Sequence, residues 1–374
     1  MEKSITYAAM DTHKKLHKVA LQYHGNSEIT EFTVKNTVAE IRKMVRKISK
    51  QTSNKIVFCY EAGVCGFTLK RIIESMGCKC SVIAPLLIPR KLGERVKTDR
   101  RDAKKLLMLF KSGLLAEVQA PNEHDEAARE LTRLRDTARE NLKRIRHQLL
   151  KFLMRHGYVY TEGRHWTQKH IAWLRNIELT EPILKKVFNS YFEQMVYCMC
   201  RLDNLDREVE QLAQSKGYQE MVGILRYFNG IDTLTAITFL TEIFEFGRFE
   251  SARNLMSYLV LTPSEDSSGD KREKGAITKT GNKRIRRILT EVSWHYRHKY
   301  VPSTALKKRR QNQSQWAVEI ADAAGRRLIR RYWHLINNGK MPTKANIAVA
   351  RELVGFIWFM ITQYHARKNI KDAA

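Results

Sequence analysis

Two aspartates, Asp99 and Asp102, interrupt one of the most basic stretches of the chain. They lie in KTDRRDAKKLL (residues 97–107), where Lys and Arg surround both acids. Residues three apart share one face of a helix, and two like charges held together there do not stabilise it. A cation between the two carboxylates would remove this conflict. The structural alternative is that Asp99 caps the start of a helix by accepting hydrogen bonds from its first free N–H groups.

Two further acids end strand-like segments upstream. Asp11 closes YAAMD, and Glu61 closes IVFCYE immediately before small residues. An acid at this place usually begins a solvated loop, but together the four carboxylates offer the oxygen ligands that Mg²⁺ or Mn²⁺ prefers. Two such ions, about 4 Å apart, activate a nucleophile and stabilise the leaving oxygen in phosphodiester chemistry. The sequence therefore predicts a metal site made by Asp11, Glu61, Asp99 and Asp102.

A pair of serines is the second candidate for chemistry. Ser267 and Ser268 precede Gly269 in LTPSEDSSGDKREKG, a composition typical of a flexible polar loop. By composition both serines are solvated turn residues. The functional interpretation is a hydroxyl nucleophile that attacks a phosphodiester among cations. The sequence places no His or Lys beside the serines, so it names no general base, and a metal-bound hydroxide is the substitute.

Positive charge accompanies both candidate sites. The chain has 374 residues and carries 67 Lys and Arg against 39 Asp and Glu, a net charge of +28. From Ser268 to Arg310 there are 14 basic residues and three acids, so the surplus is concentrated around the serines. A surplus of this size predicts a polyanionic partner, and nucleic acid is the favoured one. The predicted contacts are Lys97, Arg100, Lys271, Arg272, Lys279, Lys283, Arg284, Arg286 and Arg287.

The remaining composition argues against membrane, secreted and zinc-binding proteins. The longest apolar run near the C-terminus, Leu353 to Ile361, is too short to span a bilayer, so no membrane partner is expected. The first residues, MEKSITYAAMD, lack the features of a signal peptide, which predicts a reducing cytoplasm. The six cysteines have no C-x-x-C metal spacing, and we expect free thiols or small buried hydrophobic residues.

Residues 1–120 must position the four acids, and their pattern alternates between strand and helix. Strands are predicted at 4–11, 17–24, 28–34, 55–61 and 78–85. Helices are predicted at 36–50, 66–76 and 99–113, with Asn36 as a cap of the first. Three strands in a meander, followed by alternating helix and strand, predict a mixed sheet with helices on its faces.

The rest of the chain is predicted to be helical. In residues 121–217, apolar side chains recur every three or four positions from Leu131 to Phe152 and from Leu184 to Leu212. This predicts a coiled coil or helical hairpin whose stripes are more often internal packing than a dimer interface. Residues 218–374 are predicted to be mainly α-helical. The segment 224–243 resembles a helix-hairpin-helix around Gly230, but Asp232 repels phosphate, which favours a structural role.

In chain order, these motifs resemble the DEDD-type insertion-sequence transposases of the IS110 family, which are bridge-RNA-guided serine recombinases. Asp11 in MDTHKK, Glu61 in CYEAG and the two aspartates in KTDRRDA match the DEDD pattern. SSG followed by KGAITKTGNKRIRR matches the second domain of that family. The resemblance covers nearly the whole chain, and the two motifs together are specific, whereas either alone would be weak.

The resemblance implies a RuvC-like domain with an RNase H-like fold at 1–120, a helical connector at 121–217 and a transposase domain at 218–374. It implies that Ser268, which directly precedes Gly269, is the nucleophile, with Ser267 as the alternative. It also implies a composite active site and a transient phosphoserine link during exchange of element-end and target DNA. A noncoding bridge RNA would guide the exchange. A homodimer or homotetramer in a bacterial or archaeal cytoplasm, at the nucleoid, follows by analogy.

Two other functions stay open from the residues themselves. A RuvC-like, metal-dependent nuclease would use the same acids to hydrolyse DNA with water, leaving Ser268 a bystander and forming no covalent protein–DNA species. A non-enzymatic, basic nucleic-acid-binding protein would use the acids as caps and loop starts. Replacing Asp11 or Asp102 would then leave activity and metal binding unchanged. The placement of the acids at strand ends makes this last function the least favoured.

Overall fold

The computed structural model describes residues 4–89, 99–259, 263–268, 271–277, 281–311 and 313–373, with the backbone alone at 99–101, 263–268, 271–274, 276 and 371–373. The chain divides into two compact units, residues 1–120 and 121–374. The N-terminal unit is a mixed α/β structure, and the C-terminal unit is mostly helical. Both features confirm the fold class predicted at this coarse level.

A six-stranded sheet forms the centre of the N-terminal unit. Its strands are β1 (Ile5–Thr12), β2 (Leu16–Gln22), β3 (Thr30–Lys35), β4 (Lys55–Glu61), β5 (Lys79–Ile83) and β6 (Glu117–Val118). Their spatial order is β3-β2-β1-β4-β5-β6. β1 runs parallel to β4, and β4 parallel to β5, whereas the β1–β2, β2–β3 and β5–β6 pairs are antiparallel. The predicted mixed sheet is confirmed, with β6 as a short additional strand.

Different helices cover the two faces of this sheet. One face packs on α1 (Val38–Gln51) and α2 (Thr68–Glu74) through a cluster that includes Ala8, Met10, Phe58 and Tyr60. The other face packs on α3 (Asp99–Lys111) through a cluster that includes Ala9, Cys59, Ala103, Leu106 and Leu107. Because successive strand residues point to opposite faces, strands covered on both sides need almost continuous apolar sequence.

The first helix begins with a different cap from the predicted one. Thr37 is the N-cap residue, and its hydroxyl accepts a hydrogen bond from the Glu40 N–H at 3.3 Å. The side-chain amide of Asn36 instead donates to the carbonyls of His13 and Lys14, at 3.3 and 3.2 Å. The prediction of Asn36 as the cap was therefore wrong, because Asn and Thr stand side by side and both can cap. Asn36 holds the turn between β1 and β2.

Two long antiparallel helices, α4 (Glu123–Arg155) and α6 (Pro182–Ala213), open the C-terminal unit, with α5 (Gln168–Arg175) between them. The rings of Phe152 and Tyr191 lie 5.6 Å apart near one end of the pair. Arg135 Nε binds Asp206 Oδ1 at 2.6 Å toward the other end. The predicted apolar stripes are buried or half-buried within the pair, except for the exposed Leu134. They are internal packing, and a supercoil stays a prediction.

The remaining helices form one core with the far end of this pair. They are α7 (Gln219–Leu225), α8 (Thr233–Ile243), α9 (Ala252–Tyr258), α10 (Lys283–Ser293), α11 (Thr304–Arg310), α12 (Gln315–Asn337) and α13 (Pro342–Ala373). Ala128 of α4 and Val209 of α6 share a buried cluster with residues of α8 and α13. The connector and the helices that follow it pack as one compact unit, residues 121–374. A separate domain that begins near residue 218 therefore stays a prediction.

A β-hairpin interrupts the helices. β7 (Pro263–Ser268) and β8 (Lys271–Ile277) pair antiparallel, so the prediction of a flexible polar loop was wrong here. Backbone hydrogen bonds join two strands whatever their side chains are. PSEDSS and KREKGAI contain few β-branched or aromatic residues and no apolar alternation, and the composition therefore hides the strands.

The turn around Gly230 serves the packing of the core. The backbone at Gly230 has a φ of +82°, and a Cβ there would lie 2.5 Å from the His295 ring. Asp232 is the N-cap residue of α8, and its carboxylate accepts a hydrogen bond from the Thr235 N–H at 2.7 Å. These contacts account for both residues without a phosphate, in agreement with the structural role favoured from the sequence.

The helix α13 is the longest apolar element. Its segment from Pro342 to Ile370 is long and apolar enough, by length and composition alone, to cross a membrane. The apolar run at 353–361 therefore underestimated the length of this helix. Half of its most apolar window is buried within the protein, and Val349, Leu353 and Ile357 belong to the C-terminal core. This is the packing of a core helix.

Candidate active site

Asp11 and Glu61 lie side by side at one end of the sheet. β1 and β4 are parallel, and their register pairs Met10 with Tyr60, so the next residue on each strand is an acid. Glu61 is exposed, whereas the side chain of Asp11 is only 19% exposed. Two carboxylates thus come together where the buried part of the sheet ends.

Both acids belong to the face of the sheet that α3 covers. Ala9 and Cys59 share an apolar cluster with Ala103 of α3. Strand residues two apart point to the same side, so Asp11 and Glu61 follow Ala9 and Cys59 on that side. The acids therefore stand at the open end of the interface between α3 and the sheet.

The direction of α3 brings Asp102 to the same end. The rings of Phe110, near the end of α3, and Tyr7, near the start of β1, lie 5.9 Å apart. From Phe110 back to Asp102 a helix rises about 12 Å, and from Tyr7 to Asp11 a strand advances about 13 Å. Asp102, which is half-buried, therefore lies at a similar height along the sheet as Asp11.

Asp99 is the first residue of α3, one turn before Asp102, and its side chain lies outside the described residues. Among the side chains that the structure describes, no three acids, histidines or cysteines converge on a metal cluster. The donors at this end of the sheet are carboxylate oxygens, the ligands that hard divalent cations bind. Asp11, Glu61 and Asp102 thus fit such an ion in the chemistry of their donor atoms, and they stand at the same end of the sheet.

Basic side chains that the sequence patterns did not single out accompany Asp11. His13 Nε2 lies 3.2 Å from Asp11 Oδ2. Lys18 is the cross-strand partner of Asp11 in the β1–β2 register, and directly opposite residues share a face of the sheet. On the opposite face, His17 is fully buried, and burial lowers its pKa, which keeps it neutral near pH 7. In the sequence, these three residues are marked only by their closeness to Asp11, within two predicted strands and the turn that joins them.

Ser268 is the last residue of β7. The hairpin register pairs Ser268 with Lys271 and Ser267 with Arg272, so each serine has a different basic cross-strand neighbour. The side chains of these four residues lie outside the described part of the chain. Among the predicted nucleic-acid contacts, Lys97 and Lys279 also lie outside it, and Arg100 is described by its backbone alone.

A buried carboxylate fixes the helix that follows the hairpin. Glu242 of α8 is buried and accepts hydrogen bonds from Arg133 Nε and Nη2, at 2.8 and 2.9 Å. Asn282 donates to the same carboxylate at 2.8 Å and caps α10 by accepting from the N–H groups of Arg284 and Ile285. Burial alone raises the pKa of Glu242, but the hydrogen bonds from Arg133 and Asn282 outweigh it, and the net shift is downward. The start of α10 is thus tied to α4 and α8.

Two of the predicted nucleic-acid contacts have intramolecular partners. Arg284 and Arg287 of α10 both donate to Asp136 of α4, at 3.1 and 3.0 Å. Each keeps about a third of its side chain exposed. By contrast, Lys283 is exposed at the start of the helix, and Arg286 is half-buried. The basic side chains of α10 therefore differ in how accessible they are to a partner.

Comparisons with known proteins agree over both units. A model of DEDD transposases of IS110 elements, described as "Transposase", matches residues 8–157, which contain the four acids. A second, described as "Transposase IS116/IS110/IS902 family", matches residues 222–307, which contain Ser268. The putative transposase y4qE of Sinorhizobium fredii is 37% identical over 356 residues, 94% of this chain and 87% of that protein. The transposase of insertion sequence element IS1533 from Leptospira borgpetersenii is 34% identical over 333 residues, 88% and 96% of the two chains.

Proposed function

The chain belongs to the IS116/IS110/IS902 family of transposases, and on that premise we propose that it excises and inserts its own insertion sequence as a serine recombinase. Family membership makes the protein an enzyme that acts on DNA, against the non-enzymatic alternative. The observation that supports the proposal is the position of Asp11 and Glu61 at the ends of the adjacent parallel strands β1 and β4, on the face of the sheet that α3 covers. The serine lies in the second family match, at the end of β7.

We assign an RNase H-like, RuvC-like fold to the N-terminal unit. The strand order β3-β2-β1-β4-β5, in which β2 alone runs against the other four, supports this assignment. Acids at the ends of the adjacent central strands β1 and β4 support it further. The sixth strand, β6, is a two-residue addition at the edge.

We propose that Asp11, Glu61, Asp99 and Asp102 hold Mg²⁺ or Mn²⁺. When bound, such an ion activates the attacking oxygen and stabilises the leaving oxygen of a phosphodiester. The protein contributes a rigid support, because Ala9 and Cys59, two residues before the acids on β1 and β4, are completely buried. All four ligands are carboxylates, which suits a hard cation better than zinc.

In the proposed reaction, the Ser268 hydroxyl loses its proton and attacks the phosphorus of a DNA phosphodiester. The new bond joins the serine oxygen to phosphorus, and the bond from phosphorus to one deoxyribose oxygen breaks. That oxygen takes up a proton and leaves as a hydroxyl. In rejoining, a hydroxyl of another strand attacks the phosphoserine and the serine hydroxyl is regenerated. The number of phosphodiester bonds is conserved, and nothing is oxidised or reduced.

We also propose that a noncoding bridge RNA pairs with the element-end and target DNA, and that the protein acts as a homodimer or homotetramer at the nucleoid. The net charge of +28 supports binding of more than one polyanion. The proposed contacts to the phosphate backbone are the exposed Lys283 together with the basic residues of the hairpin and of the start of α3.

The test is a search for protein covalently bound to DNA. Purified wild-type protein and the variants Ser268→Ala and Ser267→Ala are incubated with element-end DNA, RNA from the element flanks and Mg²⁺, then run on denaturing gels. We expect an adduct with wild type and Ser267→Ala that is lost in Ser268→Ala and in the absence of Mg²⁺.

Two outcomes would contradict the assignment. An adduct that disappears only in Ser267→Ala would move the nucleophile by one residue. DNA cleavage that continues without any adduct would identify a hydrolytic RuvC-like nuclease and remove the serine from the chemistry.

A further inference from the structure

A cleft on α4, within the C-terminal unit, concentrates basic groups around a tryptophan. The cleft has a volume of about 270 Å³ and is lined by Arg139, Lys143, Arg146 and His147 of α4 and by Trp166, which precedes α5. Positions four, seven and eight residues apart share one face of a helix. Pockets for drug-sized ligands start at about 300 Å³, so this cleft suits a single chemical group of a larger ligand.

The positive charge in the cleft is only partly neutralised. Arg139 lies 3.4 Å from Asp136. Over the described part of the chain, neither Lys143 nor Arg146 forms an ion pair with an acid, and the buried Nε of Arg146 has no hydrogen-bond partner. Burial lowers the pKa of the Arg146 guanidinium. An anion bound in the cleft would supply the missing partner.

Trp166 is held against Arg146. The guanidinium of Arg146 lies 4.8 Å from the centre of the Trp166 ring. The backbone at Trp166 has a φ of +67°, in the left-handed region that bulky residues rarely occupy. Residues kept in such conformations cluster at ligand-binding positions, where the surrounding structure holds them.

A buried histidine keeps the tryptophan in place. The backbone N–H of Trp166 donates to His170 Nδ1 at 3.2 Å, and the two side-chain rings meet edge to face at 5.0 Å. Burial, with smaller effects of His165 and Arg146, lowers the pKa of His170 to about 4. The ring is therefore neutral at pH 7, and Nδ1 stays a hydrogen-bond acceptor. The stacked pair of Arg146 and Trp166 is thus formed before any ligand arrives.

We propose that this cleft binds one unpaired nucleotide of a single-stranded nucleic acid, with its base stacked on the Arg146–Trp166 pair and its phosphate on Lys143. Single strands bind where cations follow the backbone and aromatic rings or guanidinium planes receive the bases. A duplex keeps its bases stacked inside and offers only phosphates to such a cleft. The inference rests on the proposed action on nucleic acid, and it is independent of the serine chemistry.

The test measures binding of fluorescently labelled oligonucleotides to the full-length protein by anisotropy at several salt concentrations. The probes are single-stranded RNA, single-stranded DNA of the same sequence, and duplex DNA. The variants are Arg146→Gln and Trp166→Leu, with Lys186→Gln, an exposed lysine of α6, as the matched control. The RNA and DNA probes distinguish the two sources of an unpaired nucleotide.

We expect Trp166→Leu to weaken single-strand binding about 5- to 100-fold, the range for loss of one stacked base. Arg146→Gln should also weaken single-strand binding, because it removes half of the stacking pair. Lys143→Gln, as a further variant, should reduce the slope of log affinity against log salt by about 0.7, the value for one single-strand phosphate contact. Lys186→Gln should bind like wild type, and duplex affinity should change little in any variant. Whichever single-stranded probe, RNA or DNA, loses more affinity in the variants identifies the nucleic acid that supplies the unpaired nucleotide.

Unchanged single-strand affinity in both variants would overturn the proposal. Equal losses for duplex and single strands would also overturn it, since they would indicate backbone contacts without a base. If circular dichroism shows that Trp166→Leu is unfolded, Arg146→Gln and Lys143→Gln carry the test, because both change side chains on the surface of α4. Binding is measured without cleavage, so absence of the phosphoserine adduct would refute the proposed mechanism and leave this site unaffected.

Discussion

The acids of the N-terminal unit follow buried apolar strands, whereas the proposed nucleophile of the C-terminal unit ends a ribbon of polar residues. Met10 and Tyr60, the residues before Asp11 and Glu61, are fully buried in the sheet. The hairpin strands PSEDSS, which ends at Ser268, and KREKGAI contain three apolar or proline residues among thirteen. The hydrophobic core thus determines where the acids lie, but it cannot determine where the serine lies.

Polar contacts take the place of a core in the second region. Two strands alone are at best marginally stable in water. Five residues after β8, however, Asn282 binds the buried carboxylate of Glu242, which Arg133 holds from α4. We infer that the hairpin depends on this anchor more than the sheet acids depend on any single polar contact. The first region should therefore tolerate loss of a charge without unfolding, and the second should not.

The largest expected effect is on DNA cleavage, and it tests whether an acid of the N-terminal unit can lose its charge without loss of the fold. Asp11→Asn keeps the size of the side chain and removes its charge, so we expect cleavage of element-end DNA to slow on the order of 1,000-fold, as when one electrostatic contact to a reacting group is lost. The melting temperature should stay within about 2 °C of wild type. A cleavage assay and a thermal melt measure the two effects.

The matched control is Glu28→Gln, which changes an exposed acid before β3 and should leave both measurements unchanged. Full activity in Asp11→Asn would show that Asp11 is only the start of a loop. A large drop in melting temperature would show that the acid supports the fold.

The next effect concerns the anchor of the hairpin. Glu242→Ala removes the buried carboxylate that pairs with the half-buried Arg133 and accepts from Asn282. Loss of these charge-assisted hydrogen bonds should cost about 1.5–3 kcal/mol of unfolding free energy. All six tryptophans lie in residues 121–374, so their fluorescence in a urea titration reports the C-terminal unit. Glu250→Ala, at an exposed acid, should cost less than about 0.5 kcal/mol. A loss below about 1 kcal/mol in Glu242→Ala would make the anchor dispensable.

A pH titration of the same anchor sharpens the comparison further. The pKa of Glu242 is lower in the folded protein than its ordinary value of 4.5. Its carboxylate therefore stabilises the fold above pH 4.5, and this contribution is lost as the pH falls through the folded pKa, because the unfolded chain takes up the proton first.

Glu242→Gln removes this titration. We expect its deficit in unfolding free energy, relative to wild type, to be largest near pH 7 and to shrink below pH 4.5, by at most about 1.4 kcal/mol per pH unit. Tryptophan fluorescence in urea at pH 7 and pH 4 measures both proteins. A deficit that is equal at the two pH values would mean that the Glu242 carboxylate does not titrate as inferred.

The same contrast explains what the sequence could predict. Every strand from β1 to β5 and each helix of the N-terminal unit carries its own apolar pattern, because each packs against the sheet core. The acids are visible at the ends of such patterns. Their meeting follows from the parallel register of β1 and β4, which the order of strands and helices already favours.

What could not be predicted depends on contacts between distant residues. Glu242 and Arg133 are 109 residues apart, and nothing local marks either as a partner of the other. The hairpin lacks apolar alternation, and only the fold distinguishes Thr37 from Asn36 as the cap. The basic residues of α10 look alike in the sequence, although Arg287 has an acidic partner and Lys283 is exposed.

The smallest expected effect separates these basic residues. Arg287 shares Asp136 with Arg284 and is about one-third exposed, so Arg287→Gln should cost less than about 1 kcal/mol of unfolding free energy. Lys283→Gln should reduce the slope of log affinity for duplex DNA against log salt by about 0.9, the value for one phosphate contact. If Arg287 serves the fold, its variant should keep the wild-type slope. Equal reductions in both variants would instead show that DNA displaces Asp136 as the partner of Arg287. Of the polar contacts in the second region, only those of Glu242 would then stabilise the fold. The face of α10 beside Asp136 would instead belong to the nucleic-acid surface.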